Sequence, residues 1–165
     1  MIFVAVGTQF PFDRLIRAVD EWAAQHALTG MAQIAGGEYL PQTLQWERFM
    51  TTAVFNQHVQ NADLIISHAG MGNIITALEH RKPIIVMNRQ HALGEHRNDH
   101  QLDGLAWMGQ LPGVYTATTQ DELYALLARQ HTLQAAPLDN DSRRQTLVDF
   151  IDQAIRASTT LSNRT

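Results

Sequence analysis

The sequence predicts an α/β fold, a Rossmann-like parallel sheet with helices on both faces. Three observations lead to this prediction: short apolar runs rich in β-branched residues, longer segments with apolar residues at helical spacing, and a regular alternation of the two. Short connections between such elements are typical of right-handed βαβ units. With 165 residues, 45% of them hydrophobic, the chain is long enough for one core. We therefore expect one domain at residues 1–158 and a flexible tail at residues 159–165.

The first part of the chain contains three predicted strands and two predicted helices. Residues 2–6 form an apolar run closed by the sequence GTQ, as expected for a buried strand that leads into a loop. A helix follows at 12–27, where apolar residues recur every three or four positions. Residues 31–35 make a second strand, and the alternation within 38–50 favours an edge strand. Residues 51–61 are predicted to be helical.

The centre of the chain carries the clearest pattern, because the apolar runs DLIIS and IIV are bounded by turn residues. The predicted elements from there onward are a strand at 63–67, a turn at 70–73, a helix at 74–80, a strand at 84–87, a loop at 88–95, a helix at 96–108, a strand at 114–116 and a helix at 120–130. After a polar break, residues 142–158 carry an apolar helical stripe, which covers either the chain's own sheet or a partner protein.

Composition excludes several classes of partner and site. Charged residues make up 17% of the chain and the net charge is -4, so no basic stripe is offered to a nucleic acid. The chain has no cysteine, which rules out disulfides and thiolate zinc sites. The apolar start of the chain is too short for a signal peptide or a membrane span. We therefore expect a cytoplasmic protein that reaches a membrane only through another molecule.

The loops after the first, fourth and fifth predicted strands should share one rim, because ligands of open α/β sheets bind outside the carboxyl ends of the strands. In the sequence SHAGMGN, Gly70 and Gly72 would let a ligand approach the backbone, and the next helix offers unpaired N–H groups to a diphosphate. Asn73 can cap this helix or donate to the phosphate, and His68 can donate from one ring nitrogen. The alternative is a tight strand-to-helix turn with a capped helix.

Two familiar nucleotide motifs are absent from this turn. A dinucleotide fingerprint needs a third glycine and an acidic residue at the end of the next strand, and a Walker A loop needs Gly-Lys-Ser/Thr. The sequence has neither pattern, which argues against a nicotinamide cofactor and against ATP hydrolysis. We expect the protein to use no cofactor.

A second polar cluster has the sequence HALGEHRNDHQ. His96 and His100 stand four residues apart, a spacing that can hold a metal ion, but a zincin-type hydrolase needs a glutamate where this chain has Arg97. Asp99 and Gln101 are better matched to the hydroxyl groups of a sugar. We therefore expect no metal site here, and a solvated loop at the start of a helix is the alternative interpretation.

Three segments in this order resemble the C-terminal, donor-binding domain of glycosyltransferase family 28: MIFVAVGTQFPFDRLI, ADLIISHAGMGNIITALEHRKPIIV and GEHRNDHQL. The match covers most of the chain, and the order and spacing of these three segments are more specific than any one of them. Within the family the chain looks like the small stand-alone subunits of exopolysaccharide and dolichol-linked N-acetylglucosamine transfer. The resemblance implies the C-terminal half of a GT-B fold that holds a UDP-sugar, with the acceptor half on a separate, membrane-anchored partner subunit.

The resemblance also implies residue roles in the donor site. The matching positions are Gly7, Thr8, His68, Gly70, Gly72, Asn73, Asp99 and Gln101. The first two lie in the first loop of the cleft, the next four form the turn that contacts the diphosphate, and the last two contact the sugar or its phosphate. Many relatives carry a glutamate for the ribose hydroxyls where this chain has Thr76, so Glu79, one turn later, is the alternative ribose ligand.

The implied reaction is an inverting hexosyl transfer without a metal ion, in which the hydroxyl of a lipid-linked acceptor displaces UDP. GT-B enzymes commonly carry the general base on the acceptor half, so the resemblance places it on the partner. The implied setting is polysaccharide biosynthesis at the inner face of the membrane. Two alternatives stay open: a non-catalytic scaffold that stabilises a membrane glycosyltransferase, and a metal-dependent hydrolase at the histidine cluster.

Overall fold

The computed structural model describes residues 1–90 and 108–136, together with positions 105, 148, 149, 152 and 156. The strands are β1 (Ile2–Ala5), β2 (Gly30–Gln33), β3 (Gln45–Glu47), β4 (Leu64–His68), β5 (Ile84–Met87) and β6 (Val114–Ala117). The helices are α1 (Asp13–His26), α2 (Thr52–Asn61), α3 (Met71–Glu79) and α4 (Gln120–Ala128), and a 3-10 turn follows at Gln130–Thr132.

The strands form one parallel sheet in the order β3-β2-β1-β4-β5-β6. Strands β2 and β3 lie on one side of β1, and β4, β5 and β6 lie on the other side. The strand order therefore reverses between β1 and β4, and the loops at their carboxyl ends diverge to leave a crevice. This arrangement confirms the parallel α/β sheet that the alternation of apolar runs predicts.

The core lies on both faces of the sheet. Val4 belongs to a buried cluster with side chains of α1 and α4, whereas its neighbour Phe3 belongs to a second cluster with side chains of α2 and α3. Successive residues of a strand point to opposite faces, so both must be apolar when both faces are covered. This explains why β1, β5 and the first three residues of β4 are continuously apolar in sequence rather than alternating.

Threonine side chains cap two of the helices. The Thr51 hydroxyl accepts a hydrogen bond of 3.2 Å from the amide of Val54 at the start of α2. The Thr119 hydroxyl accepts one of 3.1 Å from the amide of Glu122 at the start of α4. Each cap satisfies a backbone N–H group that has no partner within its helix, so these residues fix where the helices begin.

Asp20 on α1 holds the chain that precedes β3. Its carboxylate accepts hydrogen bonds from the Tyr39 hydroxyl (2.6 Å) and from the amides of Gln42 (2.9 Å), Thr43 (3.0 Å) and Leu44 (2.9 Å). Burial alone would raise the pKa of Asp20, but these hydrogen bonds outweigh it and hold the pKa below its ordinary value. The segment between β2 and β3 is therefore ordered by a contact with a distant residue and not by its own pattern.

Some predicted boundaries differ from the structure. The edge strand predicted within 38–50 is confirmed only at Gln45–Glu47, all three residues of which are exposed. The predicted start of a helix at residue 74 is wrong, because α3 begins at Met71. The predicted helices at 96–108 and 142–158 lie mostly outside the described residues, and so does the tail. Each helix that the structure describes is too short or too polar to cross a lipid bilayer.

Candidate functional site

A cleft of about 560 Å³ opens where the strand order reverses, at the carboxyl ends of β1 and β4. Its described lining consists of Val6, Gly7, Thr8, Gln9, Phe10, Gln33, Met50, Phe55, His68, Gly72, Asn73 and Arg89. Five of the predicted donor-site residues are in this list, from the loop after β1, the end of β4 and the first turn of α3. The structure thus brings together two segments that are about sixty residues apart in sequence.

The His68 ring sits between two glycines. A β-carbon added to Gly7 would lie 3.0 Å from His68 Cε1, and one added to Gly70 would lie 2.2 Å from His68 Nε2. Gly7 also has a φ of 84°, a left-handed conformation that other residues rarely adopt. Both glycines therefore leave room for the imidazole. The space where a Gly70 side chain would stand is filled by His68, and the approach of a ligand to the Gly70 backbone stays a prediction.

Gly72 has the opposite environment. An added β-carbon would meet no atom within 4 Å, and the residue lies exposed in the first turn of α3. Backbone N–H groups in the first turn of a helix have no partner within the helix and carry a partial positive charge. The space beside this glycine is open, and the approach of a ligand to the helix N-terminus at this point stays a prediction.

Asn73 orients the site from within α3 and is not the helix cap. The N-cap is Gly70, which offers no side chain for the role. Asn73 Nδ2 instead donates to the Ser67 hydroxyl at 2.8 Å, and it stands 3.5 Å from His68 Nδ1. The Ser67 hydroxyl stands at the same distance from Nδ1, so Ser67 and Asn73 together hold this edge of the His68 ring. Ser67, which donates to the His68 carbonyl at 2.8 Å, was not predicted as part of the site.

Gln33, another residue that sequence reasoning missed, fixes the loop after β1. Its side-chain oxygen accepts from the amides of Val6 and Gly7, both at 3.2 Å. Its side-chain nitrogen donates to the carbonyls of Gly7 (2.8 Å) and Arg48 (3.0 Å). The buried side-chain amide thus accepts two hydrogen bonds and donates two. Three of these bonds are to Val6 and Gly7, so Gly7 is held in place at the mouth of the cleft.

The cleft also has an apolar wall and a buried cation. Met50 and Phe55 line the wall, and the Phe55 ring packs edge-on against Phe3 with ring centroids 5.2 Å apart. Arg89, just after β5, is 3% exposed and also lines the cleft. None of the described lining residues is acidic. This part of the cleft therefore combines a helix N-terminus and a guanidinium, both of which attract anions, with an apolar surface.

Thr76 and Glu79 do not line the cleft. The Thr76 hydroxyl donates to the Gly72 carbonyl at 2.8 Å, and Glu79 is exposed at the far end of α3, roughly 12 Å along the helix axis from Met71. Their assignment to a ribose stays a prediction. Asp99 and Gln101 lie outside the described residues, as do the histidines of the possible metal site. Among the residues that are described, no group of three metal-ligating side chains could hold an ion.

A model of the glycosyltransferase family 28 C-terminal domain matches residues 1–149. The chain belongs to this family. UDP-N-acetylglucosamine transferase subunit ALG13 of Homo sapiens is 32% identical over 114 residues, which cover 62% of this chain and 10% of that protein. The protein of the same name from Candida albicans is 41% identical over 49 residues, 30% of this chain and 17% of the other. The chain thus spans only about a tenth to a sixth of these relatives.

Solved structures share the fold of this family 28 domain. The solution structure of ALG13 superposes with a TM-score of 0.61 at 21% identity, over 89% of this chain and 94% of that chain. Two crystal structures, the glycotransferase of kitacinnamycin and SnogD from Streptomyces nogalater, give TM-scores of 0.57 and 0.52 at 16% identity. They match 94% and 98% of this chain but only 39% and 42% of their own chains. The predicted Rossmann-like architecture of one GT-B half is confirmed.

Proposed function

We propose that the chain binds a UDP-sugar in this cleft as the donor-binding, catalytic subunit of an inverting hexosyltransferase. The observation that carries the proposal is that the N-terminus of α3 opens on the cleft at the switch point of the sheet, with Gly72 uncovered and the His68 ring beside it. Unpaired N–H groups and the helix dipole at this position suit a pyrophosphate. Membership of family 28 and relatives named UDP-N-acetylglucosamine transferase subunits support the same function.

The two kinds of lining suggest how a nucleotide lies in the cleft. We assign the pyrophosphate to the turn that contains His68, Gly72 and Asn73, and the flat base to the apolar wall of Met50 and Phe55. A volume of about 560 Å³ falls within the range of roughly 300–1,000 Å³ found for small-molecule sites. As the bond to the sugar breaks, negative charge grows on the diphosphate, and donors already aimed at it stabilise the transition state.

We further propose a membrane-anchored partner that binds a lipid-linked acceptor and supplies the general base. The described lining residues include no carboxylate and do include the guanidinium of Arg89, so this wall suits a leaving anion better than proton removal. The relatives are named as transferase subunits, which supports a partner protein for this chain. We place the complex at the cytoplasmic face of the membrane, in polysaccharide biosynthesis, on the strength of the resemblance between this chain and stand-alone subunits.

Calorimetry with UDP tests donor binding, and transfer assays with and without a co-expressed partner test the division of roles. We expect His68→Ala to weaken UDP binding and to lower the transfer rate about a hundredfold, as removal of one transition-state donor does. His131→Ala, an exposed histidine in the 3-10 turn after α4, is the matched control and should change neither. No heat with millimolar UDP, with or without the partner, would refute the proposal.

The same assays separate the alternatives. A scaffold that only stabilises a membrane glycosyltransferase would support full transfer with the His68→Ala variant. A metal-dependent hydrolase would lose activity with a chelator, whereas the proposed transfer should keep its rate in EDTA. Full activity of the purified chain alone would remove the proposed need for a partner.

A further inference from the structure

Arg89 connects the end of β5 to the loop that follows β1. Its Nη2 donates to the carbonyl of Phe10 at 2.6 Å and to the carbonyl of Val6. These two carbonyls stand at opposite ends of the loop that contains Gly7 and Thr8. One guanidinium nitrogen therefore binds both ends of the loop and holds them close together.

This connection crosses the crevice of the sheet. In the strand order β4 lies between β1 and β5, so Arg89 spans the carboxyl end of β4, where His68 lies. The guanidinium also lies over the ring of Phe12, 5.4 Å from its centroid, at the start of α1. Buried and held by the ring and the two carbonyls, the side chain has a fixed position, and it fixes the loop in turn.

Gln33 holds the same loop from the other side. Its amide binds Val6 and Gly7 from the end of β2, but it makes no hydrogen bond to Phe10. Arg89 therefore reaches the far half of the loop, at the Phe10 carbonyl, which Gln33 does not. Carbonyls at the carboxyl end of a parallel sheet have no further strand to pair with, and a planar guanidinium can satisfy two of them at once.

We propose that Arg89 is a positioning residue for the donor, which acts by holding the loop from Gly7 to Phe10 in its binding conformation. The inference rests on the proposed function, because it takes this loop as one wall of the nucleotide-sugar site. Without the Arg89 bridge, the loop must be ordered each time a donor binds, and that cost lowers affinity in addition to the loss of a positive charge from the cleft lining.

Arg48 offers a matched control. Its guanidinium also donates to two loop carbonyls, those of Ala35 (3.2 Å) and Gly37 (2.8 Å), and it lies over the ring of Trp46 at 5.8 Å. It therefore repeats the same chemistry on the loop after β2, outside the lining of the cleft. Arg48→Ala and Arg89→Ala each remove one guanidinium and its pair of carbonyl contacts, but only Arg89 is buried and lines the cleft, so Arg48→Ala shows what losing such a bridge does outside the site.

The experiment uses the full chain, with amide hydrogen exchange and UDP calorimetry on the unaltered protein, Arg89→Ala, Arg89→Lys and Arg48→Ala. For Arg89→Ala we expect amides of residues 7–10 and of Phe12 to exchange at least about tenfold faster, and UDP to bind about ten- to a hundredfold more weakly. For Arg48→Ala we expect faster exchange near residues 35–38 and a UDP affinity within about twofold of the unaltered protein. A lysine restores the charge but not the fixed fork, so Arg89→Lys should recover only part of the affinity.

Each outcome decides the inference. Unchanged exchange of the loop in Arg89→Ala, an equal loss of affinity in Arg48→Ala, or full recovery by lysine would overturn it. Should Arg89→Ala fail to fold, Arg89→Lys carries the test: faster loop exchange with a weaker affinity supports the bridge, and no change in either refutes it. If the unaltered chain binds no UDP, the proposed function fails, and the exchange rates still decide whether Arg89 holds the loop.

Discussion

Replacing Gly70 by alanine tests whether this glycine exists to make room for the His68 ring. The added β-carbon would lie 2.2 Å from His68 Nε2, 2.8 Å from Cδ2 and 2.9 Å from Cε1. A comfortable contact between such atoms is about 3.5 Å, so the ring must move by roughly 1 Å or leave its place. The backbone at Gly70 has φ -109° and ψ 137°, which alanine adopts without strain. Any effect therefore comes from the ring.

Overpacking of this kind costs about 1–3 kcal/mol, which we expect as the loss in free energy of unfolding in urea titrations of Gly70→Ala. Removing the ring should relieve the clash, so the double variant Gly70→Ala with His68→Ala should be more stable than the sum of the single changes predicts. We expect a coupling energy of about 1 kcal/mol or more. Effects that add to within about 0.3 kcal/mol would refute the steric argument.

Gly72→Ala is the control for the same helix end. Its β-carbon would meet nothing within 4 Å, and alanine is the better helix former by up to about 1 kcal/mol, so the free energy of unfolding should hold or rise. If a pyrophosphate approaches the helix here, UDP binding should still fall, because the new methyl group occupies the open space. Gly70→Ala should instead lose both stability and UDP affinity. A Gly72→Ala variant that binds UDP normally would show that the ligand does not approach this glycine.

Gln33→Leu removes four hydrogen bonds near the cleft, of which only the one to the Arg48 carbonyl is backed by another donor, the Ala35 amide. Its free energy of unfolding should therefore fall by about 3 kcal/mol or more in urea titrations, and an unchanged midpoint would contradict this account. The pKa of Asp20 is held below its ordinary value, so the stability that its carboxylate contributes is present above about pH 4 and is lost as the pH falls through the folded pKa. The melting temperature of Asp20→Asn should therefore fall less steeply on acidification than that of the unaltered protein. Burial, followed by the hydrogen bond to Asp20, raises the pKa of Tyr39 to about 12. The stability that protonated Tyr39 contributes is therefore complete below about pH 10 and is lost as the pH rises towards 12. The melting temperature of Tyr39→Phe should depend less on pH in this alkaline range. Thr119→Ala should destabilise α4 by about 1 kcal/mol and Thr119→Ser by less than half of that, and equal losses would show that the hydroxyl is not the stabilising group.

The part of the fold that could be predicted from sequence is the part set by local pattern. Apolar runs at β1, β4 and β5 predict buried parallel strands because burial on both faces leaves no alternation to read. The segment before β3 could not be predicted in the same way, because it is ordered by Asp20 on α1, about twenty residues earlier. A hydrogen bond between residues so far apart produces no periodic pattern in the sequence of either segment.

The same limit applies to the site. The position of the glycine turn follows from its place after β4, but the purpose of each glycine depends on which side of the backbone a β-carbon would stand. Spacing does not give that direction, so Gly70 and Gly72 look alike in sequence and differ in the fold. Gln33 carried a usable signal, since a polar residue at the end of an apolar strand needs a partner when it is buried. Arg89, just past the carboxyl end of β5, carried a similar one.

The described residues also bear on how the proposed reaction is divided between the chain and the proposed partner. A helix N-terminus, the ring of His68 and the guanidinium of Arg89 all stabilise negative charge, and the described cleft lining has no carboxylate to oppose them. A wall with this potential lowers the energy of a departing diphosphate but also lowers the basicity of any group placed beside it. A general base in the same short wall would therefore be weakened by the positive potential that stabilises the leaving group. Placing the base on a second protein separates the two demands, which gives a physical reason for the proposed partner.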